Sequence, residues 1–130
     1  MATPLRTTFA ILLLALLPFT ASGCIVAAAA AGGAAGYAWY RGEFQATVDA
    51  APQRAATAAE RGLRDLDIKE IKSSATEIDG RVTGRTALDK EVVITIKRQT
   101  ENTSSIAIRV GTFGDEALSQ KIFEKIQARL

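Results

Sequence analysis

Charge is almost missing from the start of this chain. Arg6 is the only charged side chain among the first 40 residues, and all other charges fall in residues 41–130. A soluble domain needs polar and charged side chains on its outer surface. Residues 41–130 are therefore the part expected to fold as a globular unit, and their length suits one small domain and not two. That region holds 34 apolar residues, of which 12 are Ala, leaving 22 larger apolar side chains. This is enough for a modest core of one sheet with a helix or two.

The first 23 residues read as a secretory signal. Residues 1–6 are a short segment with one positive charge, and residues 9–19 (FAILLLALLPF) form an eleven-residue apolar run. A membrane span takes about 20 helical residues, so the run is too short to cross a bilayer but has the length of a signal core. Pro18 breaks it, and Ala21, Ser22 and Gly23 lead into Cys24, the single cysteine. Three small residues before a cysteine resemble a bacterial lipobox, with Ala21 where Leu is usual. The resemblance implies a diacylglyceryl thioether on Cys24, cleavage after Gly23 and acylation of the new terminus. The peptidase needs small residues to reach an extended backbone, and the thiolate is the nucleophile that takes the lipid. Two or three acyl chains give stable anchoring. By analogy with a Gram-negative sorting rule, Ile25 in place of Asp after the cysteine points to the outer membrane, facing the periplasm. The mature chain would have 107 residues and a net side-chain charge of +1.

Residues 24–40 are expected to form an uncharged Ala/Gly stem, with Tyr37, Trp39 and Tyr40 at its end. Such aromatics favour a membrane–water interface. Gly32 and Gly36 form a G-x-x-x-G pair that lets helix backbones approach in lipid. Three readings stand: a spacer, a segment partly inserted in the leaflet, and a self-associating helix.

Within 41–130 the periodicities predict β-α-β-β-β-β-α. Residues 41–48 read as a strand with Phe44, Ala46 and Val48 on one side. Asp49 or a neighbour caps a helix over 53–66, with Pro52 near its start and Ala55, Ala59, Leu63 and Leu66 as its stripe. Residues 68–74 read as a poorly alternating strand, 78–80 as a turn, 81–88 as a strand and 89–91 as a turn. Residues 92–98 and 105–110 are strong strands. Residues 112–115 match a capping box before a helix over 116–130, with Leu118, Ile122, Ile126 and Leu130 in its stripe. Short connections favour an antiparallel meander. The expected fold is α+β, an antiparallel sheet of about five strands with two amphipathic helices on one face.

Little in the sequence points to catalysis. There is no His, which excludes a Ser-His-Asp triad and a Cys/His zinc site. The 16 basic and 14 acidic residues are too evenly balanced to argue for nucleic acid. The acidic clusters Asp65/Asp67/Glu70, Glu77/Asp79, Asp89/Glu91 and Asp115/Glu116 sit at helix ends or turns, where carboxylates cap and solvate. None has EF-hand spacing. Ser73, Ser74, Ser104, Ser105 and Ser119 would need a Lys base, and no Ser-x-x-Lys occurs. There is no P-loop and no G-x-G-x-x-G. No metal, cofactor or catalytic residue is expected.

One constellation does emerge. If the isoleucines of the two strong strands face the helices, the opposite sheet face collects Arg81, Arg85, Lys97 and Arg109. Such a face would suit anionic head groups or an acidic envelope protein. It would equally serve as a solvated surface that keeps an open sheet soluble. The expectation is a lipid-anchored binding or scaffolding module without enzymatic activity. The alternatives are a small enzyme with a Ser/Lys or carboxylate site, and an oligomer driven by the stem.

Residues 40–43 (YRGE), the following helix, residues 106–114 (IAIRVGTFG), Asp115 and the closing helix together resemble an uncharacterised family of short bacterial lipoproteins, a domain of unknown function. The resemblance covers nearly the whole mature chain. It implies an envelope lipoprotein and brings no catalytic residue with it. On the residues alone, Gly111 and Gly114 would supply the bend from strand to helix, and Phe113 would plug the core.

Overall fold

Alternation of apolar and polar residues turns one side of each central strand inward. In a computed structural model that describes residues 37–130, β2 (Glu43–Val48) buries Phe44, Ala46 and Val48. Likewise β5 (Glu91–Arg98) buries Val92, Ile94 and Ile96, and β6 (Ser104–Val110) buries Ile106, Ile108 and Val110. The remaining strands are β1 (Tyr37–Tyr40), β3 (Lys69–Ala75) and β4 (Asp79–Arg85). All six form one antiparallel sheet in the order β1-β2-β6-β5-β4-β3. The fold is α+β, and residues 69–110 form the expected meander.

Two helices cover one face of the sheet. Helix α1 (Pro52–Asp65) lies over β3, β4 and β5, and helix α2 (Glu116–Gln127) over β2 and β6. The helices also pack on each other. Gly62 permits this, because a Cβ there would sit 3.2 Å from the Ile126 backbone nitrogen. Ala55, Ala56, Ala58 and Ala59 keep the buried side of α1 thin, and Leu63, Ile122 and Ile126 fill the layer above the sheet. At the C-terminal end, Arg129 makes two hydrogen bonds of 2.9 Å to the Asp65 carboxylate, and Arg54 donates to the Leu130 carbonyl.

Several expectations need correction. The sheet has six strands, because residues 37–40, expected to close the stem, pair with residues 43–46 as an edge strand. Tyr37 stacks on Phe44 at a centroid distance of 4.6 Å, and Trp39 packs against the core. The N-cap of α1 is Ala51, with no side-chain bond; Pro52 starts the helix without needing a donor partner. Asp79 and Gly80, expected in a turn, begin β4. That strand ends at Arg85, since Asp89 has φ 63° and the Thr86 amide donates to the Lys90 carbonyl, closing a loop over 86–90. The poor alternation of β3 reflects a bulge between Lys69 and Lys72, where Glu70 has φ 54°. The bulge lies on an edge strand, where irregular pairing is tolerated and discourages sheet-to-sheet contact.

The joint between β6 and α2 also differs. Gly111 and Gly114 do make the bend, with φ of 69° and 83°. The capping box, however, collapses to one residue: Asp115 is the N-cap, and its carboxylate accepts from the Leu118 amide at 3.0 Å. Phe113 does not plug the core. It is 92% exposed, and the aromatic contact within the core is between Phe44 and Phe123, with ring centroids 5.1 Å apart. Cys24, the signal and residues 24–36 of the stem lie outside the described residues.

Candidate functional site

With helices on one side, the other side of the sheet is left open. Alternation places Glu43, Gln45 and Thr47 of β2 on it, with Ser105, Ala107 and Arg109 of β6, and Val93, Thr95 and Lys97 of β5. Arg81, Thr83 and Arg85 of β4 complete the central part. All four predicted cations thus share the expected face. The register separates them into two pairs.

Arg85 and Arg109 lie at the end that carries residues 41–42, 86–90 and 111–114. Each already has carboxylate partners. Arg85 reaches Asp89 at 3.0 Å and Glu70 at 3.3 Å. The hydrogen bond from Arg85 to Asp89, reinforced by that charge and by Glu70, raises the guanidinium above its ordinary range. Arg109 lies 3.4 Å from Glu43 and donates to the Arg41 carbonyl at 2.9 Å. A third pair, Lys90 with Asp115 at 3.6 Å, stands beside them.

Arg81 and Lys97 lie toward the other end. Arg81 is opposite Thr95 on one side and Ser74 on the other; Lys97 is opposite Asp79. Neither cation is ion-paired among the described residues. The Asp79 carboxylate is taken up within its own turn, accepting from Thr76 Oγ1 at 2.7 Å. Ser74, Thr76, Asp79, Arg81, Thr95 and Lys97 line a depression of about 330 Å³. Lys72, opposite Thr83, adds a third cation that the sequence pattern did not single out, because the bulge disguised its face.

The two motif segments meet at the first end. Arg41 and Gly42 both have positive φ, 49° and 80°, as a two-residue hairpin of the I′ kind requires. Gly42 crosses directly over the 113–114 peptide. A Cβ on Gly42 would lie 2.6 Å from the Phe113 carbonyl oxygen, and one on Gly114 would be closer still to the Gly42 carbonyl. Arg109 ties the same hairpin through Glu43 and the Arg41 carbonyl. YRGE and IRVG-x-FGD therefore form one lock between the β1–β2 hairpin and the β6–α2 joint. Phe113 is the most exposed large side chain of the lock. Beside it, Arg85, Asp89, Lys90, Glu91, Arg109 and residues 110–114 line an open cleft of about 700 Å³.

Among the described residues there is no group of three or more His, Cys, Asp or Glu that could hold a metal ion. No helix among them is long and apolar enough to cross a membrane. The family model described as "Protein of unknown function (DUF3568)" matches residues 7–129. No curated protein matches the chain.

Proposed function

The chain belongs to the DUF3568 family, and from that premise we propose that it is a bacterial envelope lipoprotein, acylated at Cys24, whose domain is a non-enzymatic binding module. The mature protein is held by its acyl chains in the outer membrane and faces the periplasm. The observation that carries the binding role is the open sheet face with Arg81 and Lys97, two cations left without carboxylate partners beside a depression. On the same face Arg85 and Arg109 are matched to carboxylates while Lys72 is not, so Arg81 and Lys97, with Lys72 near them, supply an attractive field for an acidic patch of a partner protein. Thr83, Thr95, Ser105 and Ala107 keep the face low enough for a flat partner to approach.

The lipobox supports the anchoring, and Ile25 supports the outer-membrane address. Mass spectrometry of the protein recovered from fractionated membranes tests both. The expected N-terminal peptide starts at an acylated Cys24; an unmodified peptide running through Gly23-Cys24 contradicts the reading. The binding role is tested by Arg81→Glu with Lys97→Glu, both outward-facing and bonded to nothing the fold needs. Crosslinking in intact cells is expected to lose a specific neighbour in this variant, while folding stays intact. Identical adducts in both forms would remove these residues from the interface.

A further inference from the structure

We propose that the cleft between residues 85–91 and 109–114 binds a neutral glycan, with the Phe113 ring as the platform on which a sugar stacks. The inference rests on the binding-module reading and deepens it, because the cleft opens at one end of the same sheet face. Its first support is the placement of Phe113. Loop tips that expose a large aromatic are ordinarily free to fold it back. Here the flanking backbone is fixed by Gly111 and Gly114 at positive φ, by the Gly42 crossing and by the Asp115 cap, and the ring still stands 92% exposed. A rigid scaffold that holds an aromatic in water loses hydrophobic burial and gains a preorganised contact.

The second support is the chemistry of the bed. Arg85 with Asp89, Arg109 with Glu43 and Lys90 with Asp115 are matched pairs, so the cations bring no net field for an anion. Glu91, also on the bed, would repel one. A lipid surface fits no better, since Asp89 and Glu91 would be pressed against phosphate head groups. What the bed does offer is fixed donors and acceptors side by side, which match the vicinal hydroxyls and amide of a hexosamine. The apolar face of the same sugar ring fits against an aromatic ring. The cleft volume, about 700 Å³, lies within the roughly 300–1,000 Å³ of small-ligand sites. An envelope protein facing the cell wall would meet N-acetylhexosamine chains there.

The test uses the mature acylated protein in detergent micelles, titrated with the β-1,4 tetramer of N-acetylglucosamine by calorimetry. Saturable binding in about the millimolar range or tighter is expected, and it should be insensitive to salt. Phe113→Ala touches nothing in the fold and is expected to weaken binding roughly tenfold, as for an aromatic anchor. Arg81→Glu with Lys97→Glu should leave it unchanged. No binding, or equal binding by Phe113→Ala, overturns the glycan site. So does Phe113-dependent retention on anionic phospholipid vesicles with no response to the tetramer. A crosslinked protein neighbour that depends on Arg81 and Lys97 would then leave the binding-module reading standing, and its loss together with glycan binding would remove both.

Discussion

Gly114 and Ser119 lie five residues apart and carry opposite consequences for stability. At Gly114 the backbone has φ 83° and the Gly42 carbonyl occupies the space of a Cβ. Gly114→Ala must move the hairpin or the helix start, and is expected to destabilise by about 2 kcal/mol or more in urea melts. Ser119 is fully buried on α2, and its hydroxyl has no hydrogen-bond partner among the described residues. An unsatisfied buried hydroxyl costs about 1–3 kcal/mol, so Ser119→Ala is expected to raise the denaturation midpoint. A lower midpoint would mean that the hydroxyl is satisfied in solution. At the helix start, Asp115→Ala removes the only side-chain cap of α2 and should cost about 1 kcal/mol by the same melts.

At the scale of elements, the two helices are joined at their C-terminal ends by Arg129 and Asp65. The Arg129 hydrogen bonds do most to hold the Asp65 carboxyl below its usual range; lost hydration opposes them, and the Arg129 and Lys125 charges assist. Because the folded pKa is depressed, the contribution to stability is present above the unfolded value, about 3.9, and is lost as pH falls through the lower folded value. Asp65→Asn is therefore expected to flatten the acid limb of the stability profile below about pH 4 and to leave its slope at neutral pH unchanged. A profile with the same acid limb would mean the ion pair is not formed in solution. The elements themselves were legible wherever burial alternates cleanly, as in β2, β5 and β6, and in the stripes of α1 and α2. Register-breaking devices hid the rest. Glu70 at positive φ shifted the face of Lys72, and two-residue turn chemistry at Arg41-Gly42 turned an aromatic stem end into β1. Nothing in the apolar pattern distinguishes Tyr37 and Trp39 on an edge strand from the same residues at a membrane interface. Phe113 was misread for a related reason: an aromatic between two glycines reads as core unless the tertiary position of the loop is known.

For the molecule as a whole, one sheet face is closed by helices and the other is open, and both motif segments stabilise the end where the cleft lies. The candidate cations were placed correctly on one face by alternation alone. Their pairing was not legible, because sheet register brings Glu43 to Arg109 and the bulged β3 brings Glu70 to Arg85, while Asp89 reaches Arg85 through the local fold of the 86–90 loop. That pairing leaves Arg81 and Lys97, with Lys72 near them, as the cations available to a partner. The most direct measurement of this account is site-specific photocrosslinking in intact cells, with the crosslinker at Thr95 on the open face or at Arg61, exposed on α1. The account predicts a discrete protein adduct from Thr95, abolished by Arg81→Glu with Lys97→Glu, and none from Arg61. Adducts from Arg61 alone, or none from either position, would contradict it.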